Sequence, residues 1–161
     1  MSELRLARKA DALAIHTLLR AARHEIGLNW KGNDDWYVKW IEDHCKRRTV
    51  WVVESDKEIA GAMLMRGNEI FYSVVSERHR QRGIGRALLG EAKRFCTDKG
   101  WGTLTGQARR ANTPILALLN AKGFRLDRTL QATNADWDVY IWVRYSANDE
   151  GGRHRHLPRD G

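Results

Sequence analysis

A chain of 161 residues accommodates one hydrophobic core and leaves little room for a second. Its composition, 42% hydrophobic and 30% charged, excludes a disordered chain, and no apolar run is long enough to cross a bilayer. The formal net charge of +8 calls for an anionic ligand, a nucleic acid on a basic face built from Lys46-Arg47-Arg48, Arg109-Arg110 and Arg78 to Arg86, or simply a solvated basic surface.

The N-terminus, Met1-Ser2-Glu3-Leu4-Arg5, has no apolar core of a secretory signal, so a cytoplasmic location is expected. Leu4 to Ala7 reads as a short first strand. Asp11 offers a helix cap, followed by the apolar stripe Leu13, Ile15, Leu18, Leu19 and Ala22. After the loop residues Gly27, Asn29, Gly32 and Asn33, a second helix begins at Asp34 or Asp35. Its Trp36, Trp40 and Ile41 share one side; the two tryptophans are assigned to the core, with a cleft wall as the alternative. From Thr49 the period changes. Thr49 to Glu54, Ile59 to Met65 and Ile70 to Val75 form an antiparallel meander broken by Ser55-Asp56-Lys57 and Arg66-Gly67-Asn68.

The stretch Ser73 to Lys99 then reads as strand, glycine-containing loop and helix. Leu88, Ala92, Phe95 and Cys96 form the apolar side, with Arg86, Lys93, Arg94 and Asp98 opposite, and Gly100 ends the helix. Gly102 to Gln107 is a strand that must return parallel to the one ending at Val75, because a helix joins them. Asn112-Thr113-Pro114 starts a helix carrying Ile115, Leu116, Leu118 and Leu119, which Gly123 stops. Phe124 to Arg128 and Trp137 to Tyr145 close the sheet. The expected organisation is one domain over 1–145 with a flexible polar tail over 146–161. Cys45 and Cys96 are expected to be buried free thiols, and no metal-ligand spacing is present.

The helix start after Val75 departs from the usual pattern. Helix N-termini carry partial positive charge and normally attract Ser, Thr, Asp or Asn caps and acidic first turns. Here Arg80, Arg82 and Arg86 crowd the position with no carboxylate between them. Cations there cost about 0.3–1 kcal/mol each unless an anion is bound, and Gly83 and Gly85 let an anion approach the backbone. A dinucleotide fingerprint would need glycine at Leu88, and a Walker loop would need lysine at Glu91.

The pattern that fits is Arg/Gln-x-x-Gly-x-Gly/Ala, supplied by Arg80, Gly83 and Gly85. With the Val74-Val75 strand before it and the helix behind, it resembles the acetyl-CoA pyrophosphate loop of the GNAT superfamily of N-acetyltransferases. Asn112-Thr113-Pro114 ahead of Gly123-Phe124 is similar to a second segment of that family, and the likeness covers roughly residues 3–145. The resemblance implies an α/β (α+β) GNAT fold, a mixed central sheet of about seven strands with helices on both faces.

It further implies acetyl-CoA as co-substrate. Val74, Val75 and the backbone around them would bind pantetheine. Arg80, Gln81, Arg82, Gly83, Ile84, Gly85, Arg86 and Ala87 would hold the pyrophosphate, and Asn112 would contact the cofactor arm. Glu69, whose spacing to Arg80 matches the catalytic glutamate of the histone acetyltransferase branch, is the candidate base; the alternative is a charged residue flanking a hairpin. Glu77 and His79, in the loop, are runners-up expected to be solvated. Where many family members place a proton-donating tyrosine, this chain has Leu119, so water or another hydroxyl, for instance Tyr140 or Tyr72, would supply the acid.

The expected function is transfer of acetyl from acetyl-CoA to a primary amine, of a small molecule or a protein, by direct attack. The alternatives are a toxin-like acetyltransferase of aminoacyl-tRNA and a non-catalytic module binding coenzyme A or nucleic acid. No membrane partner is expected, and a homodimer is compatible with the sequence. Gly27 to Trp40 and Thr129 to Asp138 would wall the acceptor cleft, with Trp30 and Trp137 as an aromatic rim.

Overall fold

The computed structural model describes residues 2–23, 33–109, 112–131 and 139–146. Trp30, Trp137 and the tail over 147–161 therefore lie outside the described residues. One sheet of seven strands has the order β1-β2-β3-β4-β5-β7-β6. The chain divides into two compact units, Met1–Gly67 with Phe71–Ala92, and Asn68–Ile70 with Lys93–Gly161.

In the first unit, β1 (Ser2–Leu6) and β2 (Val50–Ser55) pair antiparallel, and β2 pairs with β3 (Glu58–Arg66) in the same sense. The turn between β2 and β3 is Asp56-Lys57, with φ of 53° and 64°, the left-handed conformation a two-residue hairpin demands. The register sets Val50 opposite Leu64 and Val52 opposite Ala62. These four form one core with Ala12, Ile15 and Leu19 of α1 (Ala12–Ala21) and Ile41 and Cys45 of α2 (Asp34–Lys46). The other face of β3, at Gly61, meets Ile84 and Leu88 of α3 (Ile84–Asp98). Helices on both faces explain why Val50-Trp51-Val52-Val53 is apolar without alternation.

Two local expectations need correction. Asp11 stands before α1 but its side chain does not cap the helix. Its carboxylate instead accepts from Arg5 Nη1 at 2.8 Å and from the Arg8 amide at 2.7 Å, because the guanidinium of β1 offers a charged partner. Trp36 is 58% exposed rather than core. It lies five positions before the buried Ile41, which at 100° per residue turns it about 140° away. Trp40, on the inner side, packs against the core as expected.

In the second unit, β7 (Val139–Ser146) pairs antiparallel with both β5 (Thr103–Arg109) and β6 (Arg125–Gln131). The start of β4 (Glu69–Val75) pairs parallel with β5, the sense the intervening helix required. Asn112 caps α4 (Thr113–Ala121), its side chain accepting from the Ile115 amide, and Pro114 sits in the first turn. The expectation that Lys93 faces solvent fails. Its Nζ donates to the Lys122 carbonyl at 2.6 Å and lies 4.0 Å from the Tyr145 ring centre, satisfying the C-terminal end of α4. Both thiols, Cys45 and Cys96, are free and buried.

Candidate functional site

The end of β4 is pinned by Ser76, whose amide donates to the Ala60 carbonyl at 2.7 Å. A single 3-10 turn, Glu77–His79, follows. Three residues per turn bring His79 back over Ser76, so His79 is 5% exposed where solvation was expected. Beyond it the loop runs from Arg80 to Gly83, with φ of 63° at Gln81 and 80° at Gly83. Left-handed geometry at Gln81 is uncommon for a residue with a side chain and marks a loop over-determined by its surroundings. At Gly83 a Cβ would meet nothing within 4 Å, so conformation and not packing requires glycine, and the space beside it is open.

Gly83 also serves as the cap of α3: its carbonyl accepts from the Ala87 amide at 3.0 Å. The amides of the first turn, at Ile84, Gly85 and Arg86, have no intrahelical acceptor. Helix α2 shows the ordinary solution, with Asn33 capping at 3.0 Å and Asp34 and Asp35 in the first turn. In α3 the first turn holds no acid, and glycine has no side chain with which to cap. Arg80, Arg82 and Arg86 are exposed around it. The arrangement suits a diphosphate, which would take the bare amides, the positive helix end and the guanidinium groups together.

The hairpin of β2 and β3 adds two carboxylates that spacing could not anticipate. Arg82 Nη1 stands 3.5 Å from Asp56, and Arg78 is bonded to Glu58. Both pairs are largely exposed, and a pair such as Arg82–Asp56 is worth about 0–1 kcal/mol, little resistance to a diphosphate. Sequence reasoning also missed Gly61. A Cβ there would lie 2.7 Å from Ile84 Cγ2 and 3.2 Å from the Val74 carbonyl, so glycine lets the start of α3 sit tightly on β3. The signal was legible as a lone glycine inside the apolar run Ile59 to Met65.

Strand β4 is unusual for a strand fourth in an order of seven: Glu69 to Ser73 are only half-buried, whereas Val74 is buried. In the second unit, Glu69 and Ile70 of β4 pair with Thr105 and Gly106 of β5; Phe71–Val75 belongs to the first unit. The usual alternation also breaks. The rings of the consecutive residues Phe71 and Tyr72 are 4.5 Å apart, and Trp40 contacts both, at 5.7 Å and 5.9 Å. Successive side chains of a regular strand point to opposite faces, so the backbone departs from regular pleating here.

The remaining expected residues are placed singly. Glu69 opens β4 in the second unit, half-buried, and Asn112 caps α4 in the same unit. Tyr140 lies on β7, paired in register with Arg109 and Leu130, and its side chain falls outside the described residues. Leu119 is buried on α4 and has no proton to give. Tyr72 is half-buried; burial pushes its phenol up to about 12, with Tyr37 adding to the rise and Arg66 opposing it. Burial likewise pushes the Cys45 thiol up to about 11. Among the described residues no group of His, Cys, Asp and Glu is arranged to hold a metal, and no helix is long and apolar enough to cross a membrane.

Comparison with known proteins bears on this geometry. The structure resembles ribosomal-protein-alanine N-acetyltransferase from Brucella melitensis, with TM-score 0.79, 20% identity, and coverage of 89% of this chain and 99% of that one. An N-acetyltransferase from Staphylococcus aureus Mu50 gives TM-score 0.79 at 20% identity, over 91% of this chain and 98% of that one. A third similar structure, yncA from Salmonella typhimurium, was solved with its cofactor acetyl-CoA; it gives TM-score 0.79 at 18% identity and covers 98% of both chains. At these identities the likeness is one of fold. The sequence matched no curated protein. The model of the Acetyltransferase (GNAT) family matches residues 13–124, which include the whole β4–loop–α3 segment, so the chain belongs to that family and is an acyltransferase using acetyl-CoA.

Proposed function

We propose that this protein transfers the acetyl group of acetyl-CoA to a primary amine by direct attack. The observation that carries the reading is the start of α3: an acid-free helix N-terminus behind an open left-handed glycine, with Arg80, Arg82 and Arg86 exposed in the same segment. Arg80 to Ala87 would hold the diphosphate, and Val74, Val75 and the backbone around them would offer groups to the pantetheine arm. Asn112 would add a contact from the cap of α4.

Acetyl-CoA supplies a thioester whose carbonyl carbon accepts the amine. Backbone N–H groups of β4 would stabilise negative charge developing on the carbonyl oxygen. Glu69 would take the proton that the attacking nitrogen sheds, directly or through water. With Leu119 at the usual tyrosine position, the proton for the departing thiolate would come from Tyr140 or Tyr72. The raised Tyr72 phenol stays protonated at neutral pH and so remains a donor. The cysteines take no covalent part, because both are buried and Cys45 is held as the thiol.

Calorimetry with acetyl-CoA, followed by thiol release over a panel of amines, tests the reading. Binding with amine-dependent release supports it; a wild-type protein that binds no acetyl-CoA refutes it. Glu69→Gln should lower kcat roughly 100-fold or more and flatten the acidic limb of its pH profile, with the acetyl-CoA Kd unchanged. Tyr72→Phe and Tyr140→Phe, compared side by side, should assign the acid by which one loses kcat.

A further inference from the structure

The first unit holds a cationic and aromatic cluster of which the reading above uses only Tyr72. Arg66, the last residue of β3, places its guanidinium 4.3 Å over the Phe71 ring. Phe71 packs on Tyr72 and on Trp40, and Trp40 packs on His44 at 4.4 Å. Protonation of His44 is disfavoured by its burial, by Arg47 and by Arg66, against the pull of Asp43. A guanidinium held over a ring by cation–π attraction still has N–H donors to offer another partner.

Four arginines of this unit are paired with an acid. Arg5 is bonded to Asp11 and Glu54, Arg20 to Asp34, Arg78 to Glu58, and Arg82 approaches Asp56. Arg66 and Arg47 are exposed and have no carboxylate partner among the described residues. Phe71 and Tyr72 lie on β4, two and three residues after Glu69. An amine brought to that stretch must lay its substituents on the side chains flanking it. Those are aromatic rings edged by the Arg66 guanidinium.

We infer that Arg66 forms an oxyanion subsite on the wall made by Phe71, Tyr72 and Trp40. The acceptor is then a planar or aromatic amine that also carries a carboxylate or phosphate. This rests on the acetyltransferase reading and deepens it by naming the acceptor class. Arg66 is a specificity residue: it takes no part in the chemistry of acyl transfer.

Matched acceptors test the inference on the whole protein. Tryptophan against tryptamine probes a carboxylate, and pyridoxamine 5′-phosphate against pyridoxamine probes a phosphate. At least one anionic member should exceed its neutral partner in kcat/KM, and which pair does so identifies the oxyanion. Arg66→Gln should lower kcat/KM for that anionic acceptor about ten- to 100-fold and change the neutral one less than twofold, with the acetyl-CoA Kd unchanged. Arg66→Lys should restore part of the loss, and added salt should weaken the anionic acceptor selectively. Equal kcat/KM within both pairs, equal losses for both members on Arg66→Gln, or turnover of none of them by a protein that binds acetyl-CoA would each overturn the inference and leave the acetyltransferase reading standing. Failure to bind acetyl-CoA would instead remove the reading beneath it.

Discussion

Replacing Gly61 by alanine asks whether the close seat of α3 on β3 sets the cofactor loop. The added Cβ would stand 2.7 Å from Ile84 Cγ2 and 3.2 Å from the backbone carbonyl of Val74. Ordinary carbon contacts lie at about 3.5–4.0 Å, so Ile84 must retreat by roughly 1 Å. The Val74 carbonyl is held in the strand and cannot yield as a side chain does. Overpacking of this kind costs about 1–3 kcal/mol, which in a chain of this size lowers Tm by roughly 2–12 °C. Ile84 is the first residue of α3, so its retreat carries the bare amides with it. Calorimetry should show the acetyl-CoA Kd weakened about tenfold. Ile84→Ala removes the clashing methyl, so the double variant should be more stable than the sum of the single effects by about 1 kcal/mol. Gly61→Ala with unchanged Tm and Kd, or strictly additive effects, would refute the reasoning.

Asp11 accepts from Arg5 and Arg8 at the foot of the first unit; although burial alone would raise its carboxyl, these partners hold it below the usual 3.8. The stabilisation is therefore complete above about pH 4 and lost as pH falls through the lower folded value. Denaturation of Asp11→Asn should show a deficit of about 3 kcal/mol at pH 7 that shrinks towards pH 2; a deficit independent of pH would contradict the ion pair. The two thiols should resist Ellman's reagent at pH 8 in the native state and react fully in denaturant, since burial raises both. Gly83→Val forces a side chain into left-handed geometry and into the open approach, and should cost about 1–2 kcal/mol and weaken acetyl-CoA at least tenfold. Loss of stability with cofactor affinity intact would place the diphosphate elsewhere.

The fold was legible where period and turn chemistry agreed. Asp34 and Asp35 with a capping Asn33, the hairpin residues Asp56-Lys57, and Asn112 ahead of Pro114 all behave locally as their residue types demand. The candidate cofactor loop stood out because it breaks a rule: cations stand where acids belong. What could not be read depends on contacts between segments distant in sequence. Nothing in its own segment tells that Arg82 meets Asp56, that Lys93 reaches the end of α4, or that Asp11 is taken by Arg5. The insertion of β7 between β5 and β6 is equally non-local. Trp36 misled because an i, i+4 pair of tryptophans fits a core stripe, whereas the stripe actually follows Val38, Ile41 and Cys45.

The most direct test of the account compares acetyl-CoA with S-acetylpantetheine, which keeps the thioester and the arm and lacks the diphosphate. If the amides opening α3 and the arginines around them hold that diphosphate, wild-type protein should bind acetyl-CoA at least 100-fold more tightly, with an advantage that shrinks as salt is added. Equal affinity for the two would contradict it.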